Sequence, residues 1–256
     1  MKKILNALAI LFICAGLSAC SAPAYPSVPQ VVITENTKDW YDEENGNWLL
    51  HLEYADVEVQ GEGFEAAAES VADWFQQNAE ELLAYGEELA QEAEEAAEEA
   101  VIIGIGWDPS SYSFYHLIDK PEVMRADSRV ISLRVYHSIY LHGAHDIYGY
   151  AGVTFDAQTG RLLELEDIVE DMEAFRQKAD DYMVEKLQEE YGDWLIPDYA
   201  DVVKENWEYG QIWYLDGAGI TIVFDPYELG SFSMGAAEVT LPYELFGTYI
   251  NEAYRN

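Results

Sequence analysis

Cysteine is almost absent from this chain, which has only Cys14 and Cys20 in 256 residues. Both lie near the N-terminus, the first inside an apolar run and the second directly after it. If that segment is removed on export, no pair of cysteines remains to form an intramolecular disulfide. The hydrophobic core must then stabilise the fold alone, and the chain is long enough for one large or two small domains.

Positive charge is also scarce. The chain has 13 Lys and Arg against 49 Asp and Glu, a formal net charge of −36 at pH 7, and no Lys or Arg lies between Lys38 and Lys120. Such a charge repels nucleic acid and anionic lipid headgroups, and it attracts cationic partners and divalent ions. We therefore exclude nucleic acid as a partner. Acidity that attracts a cationic partner and acidity that only keeps the protein soluble are both open at this point.

Motifs for nucleophilic and phosphate chemistry are missing too. There is no G-x-S-x-G motif, no phosphate-binding loop and no cysteine after Cys20. His142-x-x-His145-Asp146 has metal-ligating residue types, but on a strand or turn this spacing does not bring two imidazoles together as a helical i, i+4 pair does. We expect no catalytic residue, no metal and no cofactor, and we interpret His145 as a hydrogen-bonded turn residue.

The N-terminus resembles a bacterial lipoprotein signal. Lys2 and Lys3 precede the apolar run 4–16, and Leu17-Ser18-Ala19-Cys20 follows it. This order predicts removal of residues 1–19 and lipidation of Cys20, with residues 20–29 as a proline-containing tether. The alternative is an ordinary secretory signal cleaved near Ala22 or Ala24. Both predict an extracytoplasmic protein, and the first predicts that an N-terminal lipid is its only membrane anchor.

Hydrophobic periodicity predicts an α+β fold, with antiparallel sheets packed against two long amphipathic helices at Phe64–Ala100 and Asp171–Tyr191. Apolar residues alternate cleanly over Arg129–Leu141, as in a half-buried strand. A closing helix is predicted from Pro242 to Tyr254. Further strands are predicted at 30–35, 50–59, 101–105, 111–118, 147–155, 161–165, 211–215, 219–225 and 237–241, with a turn at 39–47.

Aromatic residues are abundant, with seven Trp and 19 Tyr. They concentrate in one group at residues 107–115 and another at 207–214. Exposed aromatic rings bind sugars or act as interface anchors, whereas buried rings fill the core of a sheet. Because aromatic side chains gain much free energy on burial, we favour core packing for most of them.

The run YLHGAHDIYGYAGVTFDAQTGRLLELEDIV, Tyr140–Val169, resembles the extracellular region shared by the lysozyme-sensing anti-sigma-V factor and a class of peptidoglycan deacetylases. In that region a DUF4163 domain precedes a DUF3298 domain. The matching residues are Gly143, Ala144, His145, Phe155, Asp156, Thr159, Gly160, Leu165 and Asp167, with a second group at 224–229, Gly235 and 239–243. His142 stands where the family usually has glycine.

The resemblance implies a DUF4163-like part at 30–137 and a DUF3298 domain at 138–256. It also implies a non-catalytic, lipid-anchored binding protein of the cell envelope, whose ligand is a cationic protein such as lysozyme or a cell-wall component such as a glycan. Gly143, His145 and Tyr148 are the candidate binding residues. Two alternatives are a peptidoglycan- or polysaccharide-modifying enzyme and an accessory structural lipoprotein.

Overall fold

The computed structural model describes residues 28–43, 47–102 and 115–255. Cys20, most of the tether and most of the aromatic group at 107–115 lie outside the described residues. The strands are β1 (Gln30–Asp42), β2 (Asn47–Gln60), β3 (Tyr115–Ala126), β4 (Val130–Tyr140), β5 (Ile147–Asp156), β6 (Ile212–Leu215), β7 (Gly219–Phe224) and β8 (Ala237–Pro242). The helices are α1 (Glu65–Ile102), α2 (Leu165–Ile168), α3 (Met172–Tyr191), α4 (Tyr199–Tyr209) and α5 (Tyr243–Phe246).

The first five strands form one sheet in the order β1-β2-β3-β4-β5. Its neighbours pair antiparallel except β2 and β3, which are parallel. A parallel pair needs a long crossover connection, and α1 lies in that connection. The α+β fold class is confirmed, with one parallel pair in a sheet that we predicted to be antiparallel.

Helix α1 covers one face of this sheet. Its sequence is rich in Ala, Glu and Gln, which favour helix formation. Val71, Phe75 and Leu89 are buried against the sheet, whereas the acidic side chains of the helix that the structure describes are exposed. Full burial of such apolar side chains contributes about 1.5–3 kcal/mol each. The helical periodicity also predicts burial of Trp74 and Leu82 against the sheet, but both are only half-buried in the structure.

The second sheet has three antiparallel strands in the order β6-β7-β8. Its apolar side chains form one core with α3, and the fully buried residues of that core include Phe175, Met183 and Phe224. Asp171 begins α3 by accepting a hydrogen bond from the Ala174 N–H. The strands and α3 lie within two residues of their predicted bounds.

The two sheets meet where β5 and β4 approach β6. At Gly152, an added Cβ would lie 1.6 Å from the carbonyl oxygen of Trp213, so only glycine permits this approach. Ser132 Oγ accepts a hydrogen bond from the Leu215 N–H at 2.9 Å and lies 2.7 Å from Thr154 Oγ1. This buried polar contact fixes the position of one sheet on the other.

Several predicted elements differ from the structure. The closing helix is wrong beyond Phe246: Asn251 N–H instead donates to the Ile168 carbonyl, and Val169 forms a bridge with Ile250. The predicted strand at 161–165 is reduced to a bridge between Phe155 and Leu162, because the chain turns directly into α2.

Other differences are near the ends of the first sheet and before β6. Strand β1 runs through the predicted turn as far as Asp42, because it pairs with β2 along its whole length. Val101 and Ile102 belong to α1 rather than to a strand, and α4 was not predicted. The boundary predicted between residues 137 and 138 falls inside β4, so the five-stranded sheet takes strands from both sides of it. In the described part of the chain, no helix combines the length and the apolar character needed to cross a membrane.

Candidate functional site

The turn between β4 and β5 lies beside the connection between β7 and β8. The imidazole of His145 stacks on the ring of Phe232, with centroids 3.7 Å apart and planes 13° apart. Tyr148 meets Phe232 edge-on at 5.6 Å, and Tyr227 lies 5.5 Å from it. We call His145, Tyr148, Tyr227 and Phe232 the tip cluster.

Hydrogen bonds hold His145 in one orientation. Its Nδ1 lies 2.6 Å from the carbonyl oxygen of Asp146, which can only accept, so Nδ1 carries the proton. Nε2 then accepts from the hydroxyl of Tyr227 at 3.2 Å. His145 is thus a hydrogen-bonded turn residue, as predicted.

Two side chains at this end of the molecule sit on backbone in the left-handed region. His142 has a φ of 60° and Tyr227 a φ of 75°. Such values disfavour residues that carry a Cβ by roughly 1–2 kcal/mol. The backbone at His142 thus has a conformation that suits glycine better than a residue with a side chain. Backbone strain of this kind is found preferentially at functional sites.

The surroundings of the tip cluster are exposed and apolar. Tyr227 is 60% exposed and the neighbouring Ile147 is 69% exposed. Gly143 and His145 are exposed as well, and Tyr148 and Phe232 are half-buried. Contiguous exposed apolar surface, rather than a single exposed residue, is typical of interaction sites. The structure therefore brings together two of the three predicted binding side chains and leaves Gly143 in the adjoining turn.

A cleft of about 410 Å³ opens next to the tip cluster. Tyr85 of α1 and Tyr148 and Tyr150 of β5 contribute aromatic rings to its lining. Leu117 adds apolar surface, and Asp225, directly after β7, adds a carboxylate. We call this the Asp225 cleft; its volume lies within the range of about 300–1,000 Å³ that is usual for ligand sites.

The carboxylate of Asp225 is held in place by the backbone of β5. Its Oδ1 accepts a hydrogen bond from the Tyr150 N–H at 2.9 Å. Its Oδ2 lies against Gly149, where an added Cβ would come within 2.5 Å. Burial raises the pKa of Asp225, although the Tyr150 N–H and His137 lower it in part. Burial likewise raises the pKa of Glu228, whose Oε2 accepts from the Asp225 N–H.

A second carboxylate lies behind His137, which also lines the cleft. Asp119 is 1% exposed, and its Oδ2 lies 2.6 Å from Nδ1 of His137. Asn78 of α1 donates to the other oxygen of Asp119 at 3.3 Å. A positive charge on His137 would thus be balanced by Asp119, and the Asp225 carboxylate is additional negative charge in the cleft.

His142 and His145 do not face each other. His142 packs near Tyr115 and Tyr140, at 5.0 Å and 5.9 Å, whereas His145 lies on Phe232. Burial, together with the nearby His116, lowers the pKa of His142. Within the described residues, no three His, Cys, Asp or Glu side chains are grouped so as to hold a metal ion.

The Phe155-Asp156-x-x-Thr159-Gly160 motif stabilises the fold. Asp156 Oδ1 accepts hydrogen bonds from the Thr159 N–H and hydroxyl, and Oδ2 accepts from the hydroxyl of Tyr254. Burial opposes ionisation of Asp156, but these hydrogen bonds prevail and lower its pKa. Gly160 has a φ of 71° and packs on α1, where a Cβ would lie 2.3 Å from the Ala66 carbonyl oxygen. These motif residues are therefore structural rather than ligand-binding.

Two residues of the aromatic group at 207–214 are buried in the core. Trp213 is 8% exposed and Tyr214 is 3% exposed. Trp207 is half-buried, and its Nε1–H donates to Asp180 at 2.6 Å. Core packing, the interpretation we favoured, is confirmed for Trp213 and Tyr214.

Comparison with known proteins concerns mainly the second sheet. The model of DUF3298, a family of proteins of unknown function, matches residues 166–244. Those residues form a DUF3298 domain. It runs from α2 to α5 and contains Asp225, Tyr227 and Phe232, whereas His145 and Tyr148 lie before it. No curated protein matches the chain.

Two crystal structures of DUF3298 family members share the fold. One is from Bacteroides fragilis NCTC 9343. It matches with a TM-score of 0.68 and 18% sequence identity, and the aligned region covers 88% of this chain and 94% of the Bacteroides chain. Another is from Pseudomonas aeruginosa PAO1. It matches with a TM-score of 0.60 and 15% sequence identity, and the aligned region covers 90% of this chain and 97% of the Pseudomonas chain. The fold around the DUF3298 domain, including the five-stranded sheet, is thus shared with these proteins.

The sequence did not single out Tyr227, Phe232 or Asp225 as site residues. They lie eighty or more positions after His145 and follow a strand of the second sheet, so only the packing of the two sheets brings them to the same end. A signal was present, because Tyr227 directly follows the Asp-Pro pair at the end of a strong strand pattern, where a turn is expected.

Proposed function

We propose that this chain is an extracytoplasmic binding protein, anchored by a lipid on Cys20 and without catalytic activity, that binds a cationic protein such as lysozyme. The observation that carries the proposal is the tip cluster, in which the exposed rings of His145 and Tyr227 contact the half-buried Phe232, on a protein with a net charge of −36. Aromatic side chains are the commonest anchors of protein interfaces.

The distribution of charge supports a cationic partner. Lys and Arg side chains are largely occupied within the protein, as in the pairs of Lys120 with Glu53, Arg134 with Glu122, and Arg161 with Asp167. The acidic side chains that the structure describes on α1 are, by contrast, exposed to solvent. The surface therefore carries a large excess of negative charge, which accelerates encounter with a cationic protein.

A cell-wall glycan is the second candidate ligand. The stacked rings of His145 and Phe232, together with Tyr227, offer flat apolar surface of the kind on which sugar rings pack. In either case we assign the main ligand contact to the tip cluster, which the DUF3298 domain and the adjoining β4–β5 turn form, and we propose that the part at 30–137 is DUF4163-like and packs beside it.

Binding kinetics test the cationic partner. We expect hen lysozyme to bind the full-length protein with an on-rate that falls as salt rises, because the Debye length shrinks from about 30 Å at 0.01 M to about 8 Å at 0.15 M. The off-rate should change little with salt if the tip cluster supplies the specific contacts. Surface plasmon resonance at several salt concentrations measures both rates.

Matched variants locate the contact. Phe232→Ala should raise the off-rate about tenfold or more, because anchor residues contribute at least about 1–2 kcal/mol. Leu245→Ala serves as the control, since Leu245 is a 48% exposed apolar residue on α5, at the far end of β8. Equal effects of both variants, or equal binding by an unrelated acidic protein, would contradict the proposal. Binding to purified peptidoglycan but not to lysozyme would favour the glycan.

Lipid anchoring is tested at the proposed site itself. Cys20→Ala should leave uncleaved precursor or release a soluble form, which cell fractionation and metabolic labelling with a palmitate analogue detect. A Cys20→Ala protein that is processed normally and remains with the membrane would show that the lipobox interpretation is wrong.

A further inference from the structure

We propose that the Asp225 cleft receives one lysine or arginine side chain of the bound protein. This inference rests on the proposed function, because it names the group of the cationic partner that enters the molecule. The tip cluster would then contact the surface of the partner, and the cleft would bind one side chain that projects from it.

The walls of the cleft suit the stem of such a side chain. Leu117 and the exposed Ile147 present apolar surface, and Tyr85, Tyr148 and Tyr150 contribute rings. Lys and Arg bury their methylene groups against apolar surface while the charged head seeks polar partners. Aromatic faces also attract a cationic head, by about 0.5–2 kcal/mol depending on how far it is desolvated.

The charge inside the cleft selects a cation over a neutral group. Asp225 is half-buried, and a partly desolvated carboxylate is stabilised strongly by a charge-assisted hydrogen bond. Its Oδ1 already accepts the Tyr150 N–H, which fixes its orientation before any ligand arrives. The imidazole of His137 pairs directly with Asp119, at 2.6 Å, so it offsets the negative charge of Asp225 only in part.

Gly149 leaves the space that the carboxylate of Asp225 occupies. A Cβ there would lie 2.5 Å from Oδ2 and 2.9 Å from Cγ of Asp225, so any larger residue displaces the carboxylate from this position. We assign Gly149 as a positioning residue for the cleft.

Small probes test the cleft separately from the whole interface. The probes are Nα-acetyl-lysine amide and Nα-acetyl-arginine amide, compared with their uncharged counterparts, Nε-acetyl-lysine and citrulline derivatives. With the full-length protein, we expect the charged probes to shift the NMR amide signals of Gly149 and Tyr150 in a saturable way, and the uncharged probes to have at least tenfold weaker effect. Equal shifts from charged and uncharged probes would overturn the inference.

Asp225→Asn and Asp180→Asn form a matched pair. Both aspartates are half-buried, and burial raises the pKa of both, but Asp180 lies in α3, accepts a hydrogen bond from Trp207 of α4 and does not line the cleft. We expect Asp225→Asn to weaken binding of the lysine and arginine probes by tenfold or more and Asp180→Asn to leave it unchanged. Gly149→Ala should weaken binding as Asp225→Asn does, while urea unfolding verifies that each variant is folded.

Lysozyme binding separates failure of this inference from failure of the proposed function. If wild-type protein and Asp225→Asn bind lysozyme equally, the proposed function stands and the cleft is not the subsite. If the charged probes bind the cleft but lysozyme does not bind the protein, the subsite stands and the partner is wrong. If both Asn variants lose the same affinity, only overall charge matters and the inference is overturned.

Discussion

The aromatic group at 207–214 and the tip cluster differ in what covers them. Trp213 packs in the core that includes α3, and Tyr214, its neighbour on β6, is 3% exposed and donates from its hydroxyl to Glu238 at 2.9 Å. We call these two residues the core group. Tyr227 of the tip cluster is 60% exposed. One group gained its free energy of burial during folding, whereas the other keeps apolar surface that a partner can still bury.

Hydrogen bonding shows the same contrast. Burial raises the pKa of Tyr214 strongly, and its hydrogen bond to Glu238 adds to the effect, so the hydroxyl stays protonated as a donor. The hydroxyl of Tyr227 instead bonds to the exposed His145. Aromatic content alone thus does not indicate function; the exposure of the rings divides them into a part that stabilises the protein and a part available for binding.

The largest effect is expected from Trp213→Ala. Removing a buried Trp costs about 3–5 kcal/mol, because the lost burial is accompanied by a cavity. Urea denaturation of the purified protein measures this loss. At urea-free equilibrium the folded fraction should still bind lysozyme with unchanged off-rate, and a faster off-rate would show that the core group takes part in the interface.

Gly152→Ala tests the contact between the two sheets, where Gly152 of β5 packs against the backbone of Trp213 in β6. A Cβ at this position would lie 1.6 Å from the Trp213 carbonyl oxygen, and its three nearest atoms all belong to the Trp213 backbone, which cannot turn aside as a flexible side chain can. Overpacking of this kind costs about 1–3 kcal/mol. We expect a lower urea midpoint than for Gly143→Ala, whose Cβ would meet the His145 carbonyl oxygen only at 3.2 Å. Equal midpoints would show that the sheets shift apart easily.

Much of this architecture could be predicted from the sequence. Helix α1 and β4 carry strong single periods, one of 3.6 and one of 2 residues, and the bounds of both lie within two residues of those predicted. The end of the chain could not be predicted, because Asn251 and Ile250 pair with residues around Ile168, more than eighty positions earlier. Long-range pairing there replaces a local helical preference.

The site was predictable only on one side. His145 and Tyr148 lie in a turn whose glycine and histidine mark it in the sequence. Their partners Tyr227 and Phe232 follow a different sheet, and nothing local in the sequence specifies which strand ends meet. The Asp225 cleft could not be predicted for the same reason, because its residues come from both sheets. Gly149 is important only because the carboxylate of Asp225 packs against it, and the sequence does not show that contact.

A half-buried carboxylate lies near each aromatic group: Asp225 beside the tip cluster and Asp180 beside Trp207. Ionisation of each should make the stability of the protein depend on pH. Burial raises the pKa of Asp225 in the folded protein, so the folded state binds a proton more tightly than the unfolded state. The stability gained from this proton is present below the ordinary Asp value of 3.8 and is lost as pH rises through the raised pKa. Asn does not ionise, so the Asp225→Asn variant does not lose this stability as pH rises.

We therefore expect the free energy of unfolding of Asp225→Asn, relative to wild type, to increase as pH rises from about 3.5 towards 7. Urea titrations at a series of pH values measure this difference. Asp180→Asn should show a change in the same direction, since burial raises the pKa of Asp180 as well. A difference that does not vary with pH would contradict the prediction for that residue.

The smallest effect on stability, and the clearest separation of the two aromatic groups, is expected from Tyr227→Gly. At a φ of 75° the Tyr side chain costs roughly 1–2 kcal/mol, which glycine relieves. Glycine also increases the entropy of the unfolded chain and loses the contacts with His145 and Phe232. These contributions oppose each other, so the free energy of unfolding should stay within about 1 kcal/mol of wild type, and Tyr227→Ala, which keeps the strained backbone, should be the less stable variant.

Both variants should bind lysozyme more weakly, because both lack the exposed ring. If Tyr227→Gly instead lost stability as Trp213→Ala does and bound lysozyme normally, Tyr227 would belong with the core group, and the tip cluster would not be the binding surface.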